Sequence, residues 1–264
     1  MACRPTELYR GYVFDLDGTV YLGEALLPGA KRTIETLRRA GCRMVFVSNK
    51  PVETRQAYAD KLTRLGLPTS VEQIVNSTQV TVRELSLRAP GSHVFPIGEQ
   101  TLFDALRAAG FFISETPGEI EYVIASFDRT FVYRKLQIAF DAIRAGARFV
   151  ATNGDAFCPV PGGGEPDAAC IIAAIEACTG HAVEQIYGKP SPAMMRAAMA
   201  IVGTEPHESL MVGDRLETDI LMGQRAGMAT ALPLTGATSR ANLTESQIQP
   251  DYVLERLDDL LPTR

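Results

Sequence analysis

Short apolar segments alternate with segments of helical periodicity along this chain, and this alternation limits the fold more than any other feature. The predicted strands at the two ends of the chain lie at 11–15, 43–47, 185–187, 209–212 and 229–232. The predicted helices there lie over 29–40, after Pro51, from Ser191 and over 217–226. Such alternation predicts a parallel α/β sheet, and we expect both ends of the chain to contribute to one sheet.

A second α/β run lies between these two ends. It follows the turn sequence Ala-Pro-Gly at 89–91. Its predicted strands lie at 93–97, 122–126 and 148–151. Of its three predicted helices, one begins at Gln100, one begins at Tyr133 and one covers 168–178. We therefore predict a core formed by 1–87 and 185–264, with a second domain inserted at 88–184.

Composition excludes several classes of protein. The chain has 264 residues and a formal net charge of −5, so it is neither disordered nor basic enough to coat nucleic acid. No apolar run approaches the roughly 18 residues of a membrane span, and the first residues lack the apolar segment of a signal peptide. The five cysteines form no C-x-x-C pair and the three histidines are scattered, which disfavours zinc and Ser-His-Asp chemistry. We expect a cytoplasmic protein whose catalysis, if any, depends mostly on carboxylates.

Two carboxylates follow the first predicted strand. Residues 14–21 read Phe-Asp-Leu-Asp-Gly-Thr-Val-Tyr, which places Asp15 and Asp17 at the carboxyl end of an apolar strand. Open α/β sheets bind their ligands at this edge. Carboxylates this close repel each other unless a cation or a shared proton relieves them. The pair therefore indicates either Mg²⁺ binding or a split acid and base, with a solvated turn as the alternative.

Three further strand ends carry polar residues of matching chemistry. They are Ser48-Asn49, Gly188-Lys189-Pro190, and Asp214 with Asp219. A hydroxyl, an amine and a second carboxylate pair are what a phosphate group and a hard metal ion need. Each has an ordinary structural explanation alone, as a helix cap, a solvated charge or a turn former. Their occurrence together favours one shared site.

In order, the patterns D-x-D-G-T, S-N, G-K-P and G-D-x-x-x-x-D resemble the four motifs of the haloacid dehalogenase-superfamily phosphatases. The intervening segments resemble the NagD-like branch, which includes 4-nitrophenyl phosphatases, and the similarity covers nearly the whole chain. The resemblance implies a Rossmann-like parallel-sheet core with a large α/β cap inserted between the second and third motifs.

The resemblance also implies roles for the motif residues. Asp15 would be the nucleophile that forms an aspartyl phosphate, and Asp17 would be the general acid and then the base. The residues that bind the substrate phosphate would be Ser48, Asn49 and Lys189, and Asn49 would also order the loop around Ser48. The Mg²⁺ cofactor would be held by Asp15, Asp214 and the backbone carbonyl of Asp17, and Asp219 would orient metal-bound water or Lys189.

The chain departs from the family pattern where the last helix of the inserted domain begins. Relatives commonly have Pro-Gly-x-Gly where this chain has Pro-Asp-Ala-Ala at 166–169. We take Asn153, Asp155 and Asp167 as candidate specificity residues. If the helix starts at Pro166 rather than at 168, Asp167 lies in its first turn. There it either caps the helix or disfavours substrates with a second anionic group.

The leading hypothesis is a Mg²⁺-dependent phosphomonoester hydrolase of small phosphorylated metabolites, such as sugar or polyol phosphates and 4-nitrophenyl phosphate. The alternatives are a phosphotransferase or mutase with the same intermediate, and a catalytically silent protein that binds phosphorylated metabolites. A dehalogenase has no use for the acid at Asp17 or the metal carboxylate at Asp214. We expect neither nucleic acid nor membrane as a partner; a homo-oligomer and the physiological substrate stay open.

Overall fold

A computed structural model describes residues 4–160 and 163–262, apart from the side chains of residues 159 and 160. The strands are β1 (Gly11–Asp15), β2 (Tyr21–Leu22), β3 (Ala25–Leu26), β4 (Arg43–Ser48), β5 (Ile74–Asn76), β6 (His93–Ile97), β7 (Phe112–Ile113), β8 (Tyr122–Ala125), β9 (Arg148–Ala151), β10 (Phe157–Val160), β11 (Gly163–Pro166), β12 (Gln185–Ile186), β13 (Ser209–Val212), β14 (Ala229–Pro233) and β15 (Tyr252–Leu254). The α-helices are α1 (Ala30–Arg39), α2 (Arg55–Arg64), α3 (Ser77–Arg88), α4 (Gln100–Ala108), α5 (Tyr133–Arg144), α6 (Ala168–Thr179), α7 (Pro192–Val202), α8 (Leu221–Arg225) and α9 (Arg240–Glu245). None of these described helices is long and apolar enough to cross a lipid bilayer.

The contacts divide the chain into two compact units, each with its own main sheet. The first unit contains residues 4–48, 55–75 and 194–262. The second contains residues 49–54, 76–160 and 163–193, so it interrupts the first along the sequence. The predicted domain limits at 88 and 184 are not the same as these contact-based limits and stay a prediction.

The main sheet of the first unit has the strand order β15-β14-β13-β1-β4-β5. Strand β1 pairs in parallel with β4 on one side and with β13 on the other, although β4 and β13 come from opposite ends of the chain. All five residues of β1 are buried, as expected for a strand whose sheet is covered on both faces. The prediction that both ends of the chain contribute to one sheet is therefore confirmed.

The main sheet of the second unit has the strand order β12-β9-β8-β6-β7, and its pairs are parallel. Helices α5 and α6 pack on it and contribute Ala139, Ile143, Ile172 and Ile175 to its apolar core. A small antiparallel hairpin, β10–β11, connects β9 to α6. The predicted fold class, a parallel-sheet α/β core with an inserted α/β domain, is confirmed.

One strand belongs to a different sheet from the one expected. The sequence predicts that 185–187 joins the strands of the chain ends, but β12 pairs in parallel with β9 in the second unit. Helix α6 carries the chain from β9 back to the edge of the same sheet, which is an ordinary β-helix-β crossover. A strand of two residues is too short for its own pattern to indicate which sheet it joins.

Candidate active site

Three neighbouring strands of the first unit end at one edge of the sheet, and each end carries a predicted site residue. Asp15 is the last residue of β1, and it pairs with Val47, so Ser48 at the end of β4 lies one position beyond it. On the other side Phe14 pairs with Val212, and Asp214 follows two residues after the end of β13. The register thus brings the polar residues of the first, second and fourth motifs to the same edge.

The carboxylates of Asp15, Asp214 and Asp219 form a compact group. One carboxylate oxygen from each lies within 4.8 Å of the other two, and all three residues are buried. Asp15 and Asp214 were predicted as metal ligands, whereas Asp219 was predicted only to orient metal-bound water or Lys189. Because Asp219 lies in the same group, either role is open to it and its assignment stays a prediction. Buried carboxylate oxygens are hard donors of the kind that Mg²⁺ prefers.

A single π-helical turn brings Asp219 to this group. The helix predicted from residue 217 begins instead with the π-helical turn Leu216–Ile220, in which Ile220 N–H donates to the carbonyl oxygen of Arg215. The backbone N–H of Arg215 in turn donates to Oδ2 of Asp219 over 3.2 Å. A Cβ added at Gly213 would lie 2.6 Å from that same oxygen, so only glycine leaves room for it. Such turns occur often at functional sites.

Asp17 is half-buried and is held by Tyr21. The phenol of Tyr21 donates to Oδ2 of Asp17 over 3.3 Å, and Gly18 N–H donates to the carbonyl oxygen of Tyr21 over 2.8 Å. Burial, and next the negative charge of Asp17, raise the pKa of the Tyr21 phenol far above its usual range, so it remains a hydrogen donor. The ammonium of Lys61 lies 4.0 Å from the centre of the Tyr21 ring. Tyr21 stood in the first motif, but no role was predicted for it.

Asn49 and Lys189 meet within the second unit. Oδ1 of Asn49 accepts from the backbone N–H of Lys189 over 2.6 Å, and Nδ2 of Asn49 donates to the carbonyl oxygen of Lys189 over 3.2 Å. A Cβ added at Gly188 would lie 2.5 Å from Oδ1 of Asn49, so the glycine of G-K-P allows this approach. The side-chain amide thus fixes the backbone of a buried lysine. Phosphate binding by the two residues stays a prediction.

The three candidate specificity residues of the second unit share one hydrogen-bond network. Nδ2 of Asn153 donates to Oδ1 of Asp167 over 3.0 Å and, more weakly, to Oδ2 of Asp155 over 3.4 Å. Asp167 is the N-cap of α6, with Ala168 N–H donating to its Oδ1 over 2.6 Å. The helix begins at Ala168, as predicted, and not at Pro166, because Pro166 pairs with Phe157 in the β10–β11 hairpin.

Known proteins resemble this chain over almost its full length. A haloacid dehalogenase-like hydrolase family model matches residues 12–112, and a HAD-hydrolase-like model matches residues 186–260. The sugar-phosphatase AraL of Bacillus subtilis is 40% identical over 250 residues, which are 95% of this chain and 91% of that protein.

Two solved structures extend the comparison. The 4-nitrophenylphosphatase of Thermotoga maritima aligns with a TM-score of 0.90 at 34% identity, covering 96% of each chain. The glycerol phosphate phosphatase of Mycobacterium tuberculosis, solved in complex with magnesium, aligns with a TM-score of 0.86 at 31% identity, covering 96% of this chain and 76% of that one.

Proposed function

The chain belongs to the haloacid dehalogenase-like hydrolases, and from this membership and its buried carboxylates we propose that it is a Mg²⁺-dependent phosphatase of small phosphorylated metabolites. The family and the phosphatase class were predicted from the order of the motifs, and both are confirmed by the relatives. The observation that carries the metal-dependent part is the group formed by Asp15, Asp214 and Asp219. The proposal also includes sugar or polyol phosphates as substrates, by likeness to the sugar-phosphatase, and a cytoplasmic location.

The carboxylate group suits Mg²⁺ through the chemistry of its donors. Mg²⁺ takes oxygen ligands, retains several waters and binds through few carboxylates, whereas softer metals select thiolate or imidazole ligands. Asp15 and Asp214 would hold the ion, together with the backbone carbonyl of Asp17 or with Asp219. When bound, the ion would neutralise negative charge so that an anionic phosphate group can approach a carboxylate.

In the proposed reaction, Asp15 and Asp17 divide the chemistry. An oxygen of Asp15 attacks the phosphorus, the bond from phosphorus to the alcohol oxygen breaks, and Asp17 gives its proton to that oxygen. Water then attacks the phosphorus of the aspartyl phosphate, Asp17 takes a proton from this water, and inorganic phosphate leaves a restored Asp15. The position of Asp15 at the end of β1 and the hydrogen bond from Tyr21 to Asp17 support these roles.

The remaining motif residues are assigned to the phosphate group itself. Ser48 and Lys189 donate to phosphoryl oxygens, and the ammonium of Lys189 balances the charge that develops during transfer. The amide of Asn49, which follows Ser48 directly in the chain, holds the backbone of Lys189 by two hydrogen bonds. A lysine that is buried and fixed through its backbone is preorganised for such a role.

Phosphate release by the purified protein tests this proposal. We expect hydrolysis of 4-nitrophenyl phosphate and of a panel of sugar and polyol phosphates when Mg²⁺ is present, loss of activity with EDTA, and recovery when Mg²⁺ is restored. Asp15→Asn should abolish turnover, whereas Asp60→Asn, at an exposed carboxylate on α2, should not alter it.

Each contrary result identifies the part that fails. Undiminished turnover in Asp15→Asn would end the nucleophile assignment, and full activity after exhaustive chelation would end the metal assignment. If no ester is hydrolysed with Mg²⁺ present, the phosphatase proposal is wrong. Transfer of phosphate to added alcohols in preference to water would identify a phosphotransferase.

A further inference from the structure

A loop far along the chain bonds to the turn that carries Asp17. This loop, residues 235–238, reads Thr-Gly-Ala-Thr and lies between β14 and α9. The hydroxyl of Thr235 donates to the carbonyl oxygen of Gly18 over 2.8 Å. Gly18 follows Asp17 directly and has a φ of 88°, which side-chain-bearing residues rarely adopt. The hydrogen bond from Thr235 therefore restrains the turn at Asp17-Gly18, whose backbone conformation already requires glycine.

The same loop makes two hydrogen bonds to Asp214. The backbone N–H of Ala237 donates to Oδ2 of Asp214 over 2.5 Å, and the N–H of Thr238 donates to its carbonyl oxygen over 3.2 Å. Asp214 is 2% exposed although Ala237 itself is exposed, so the loop backbone covers the carboxylate. A charge-assisted hydrogen bond to one carboxylate oxygen fixes the direction of the other.

Close approach of the loop depends on Gly236. A Cβ added there would lie 2.5 Å from Cγ and 2.7 Å from Cβ of Asp214, and nearer still to Oδ2. The φ of Gly236 is not in the left-handed region, so the position needs glycine for space rather than for backbone freedom. The peptide backbone of the loop is therefore packed directly against the carboxylate.

We infer that the loop 235–238 is a positioning element for the metal site, which fixes Asp214 and the turn after Asp15 relative to each other before Mg²⁺ binds. The inference rests on the proposed function, because it concerns residues assigned there to the ion. Ligands that are already oriented lose less conformational freedom on binding. Hydrogen-bond partners of metal ligands orient those ligands, and their removal typically weakens metal affinity by about 10- to 100-fold.

Three substitutions in the loop and one outside it test the inference. Thr235→Val removes the hydroxyl donor at nearly constant side-chain shape, and Thr235→Ser retains it. Gly236→Ala adds a Cβ that would displace the Asp214 side chain. The matched control is Thr230→Val on β14, where a buried hydroxyl donates to Asp251 over 2.8 Å, the same length as the Thr235 bond. The measurements are the Kd for Mg²⁺ by calorimetry on metal-free protein, and the Tm of that protein without metal.

We expect Thr235→Val to raise the Kd for Mg²⁺ about 10-fold and Gly236→Ala up to about 100-fold. Thr235→Ser should restore the wild-type Kd, and Thr230→Val should lower the Tm without altering the Kd. The loop is not a positioning element if Thr235→Val binds Mg²⁺ with the wild-type Kd. The same conclusion follows if its weaker binding accompanies a lower metal-free Tm and is not restored by serine. If Gly236→Ala does not fold, Thr235→Val alone decides.

This experiment separates the inference from the proposed function. If the wild-type protein binds no Mg²⁺, the metal part of the proposed function fails, and the inference fails with it. If the wild-type protein binds Mg²⁺ and the loop variants bind it equally well, only the inference is overturned.

Discussion

Replacing Asp167 by alanine should destabilise the metal-free protein by about 2 kcal/mol, because it removes a buried oxygen that accepts two hydrogen bonds. Loss of an N-cap contributes about 1 kcal/mol, here the bond from Ala168 N–H over 2.6 Å. Loss of the acceptor for Asn153 Nδ2 contributes about 1 kcal/mol or more, because both residues are buried. In a protein of this size about 2 kcal/mol corresponds to a fall in Tm of roughly 4–8 °C.

Asp167→Asn is the matched control, since an amide oxygen can accept both bonds while the charge is removed. Urea and thermal unfolding of the two variants should place Asp167→Asn within about 1 kcal/mol of the wild type and Asp167→Ala well below it. The reasoning is refuted if Asp167→Ala unfolds within about 0.5 kcal/mol of the wild type, or if Asp167→Asn is equally destabilised.

The same pair of variants tests Asp167 as a specificity residue. We propose that its negative charge favours substrates with a neutral polyol or sugar body over substrates with a second anionic group. The ratio of kcat/KM for a polyol phosphate to kcat/KM for phosphoglycolate should therefore decrease in Asp167→Asn, which keeps the hydrogen bonds from Ala168 and Asn153. An unchanged ratio in a stable Asp167→Asn would leave Asp167 as a helix cap only.

Four further predictions concern the first unit. Asp17→Asn should lower kcat by about 10²- to 10⁴-fold for sugar phosphates and less for 4-nitrophenyl phosphate, whose leaving group needs little protonation. Tyr21→Phe should also lower kcat more for sugar phosphates than for 4-nitrophenyl phosphate, by up to about 10-fold, as expected for one lost hydrogen bond. An equal loss of kcat on both substrates would contradict a role through Asp17. Ca²⁺ should support at least about tenfold less activity than Mg²⁺, because its larger and more flexible ligand shell misplaces the carboxylates; equal activity would count against the metal assignment. Gly213→Ala should weaken Mg²⁺ binding about 10- to 100-fold by displacing Asp219, whereas Gly118→Ala, where a Cβ meets nothing within 4 Å, should not; calorimetry on both variants decides.

The apolar strands of the core sheet were predictable along the sequence because burial dictates composition. A strand covered on both faces must be apolar throughout, as β1 is, and such runs stand out between helical patterns. The pair β5 and α3 was not predicted. Strand β5 has only three residues, and α3 reads Ser-Thr-Gln-Val-Thr-Val in its first half, where β-branched residues are more typical of a strand. Tertiary packing determines the helix there.

The candidate site was predictable only as far as strand ends determine it. Neighbouring parallel strands end at one edge, so the approach of Asp15 to Asp214 follows from the sheet alone. The position of Asp219 depends on a π-helical turn, which differs from an α-helical turn by one residue and has no periodic pattern of its own. The bond from Thr235 to Gly18 joins residues 217 positions apart, and no local pattern indicates such a pair.

The geometry of the carboxylate group links metal affinity to stability. At 4.8 Å two like charges repel by about 3.5 kcal/mol at an effective dielectric constant near 20, a large share of the roughly 5–15 kcal/mol that stabilises a typical folded protein. Backbone N–H groups of Arg215 and Ala237 oppose this repulsion as fixed dipoles at Asp219 and Asp214. A divalent cation at the same place converts the repulsion into attraction, and at 100 times its Kd it would stabilise the fold by about 2.7 kcal/mol. Substitutions that let the carboxylates move apart should therefore raise the stability of the metal-free protein and, at the same time, lower its affinity for Mg²⁺.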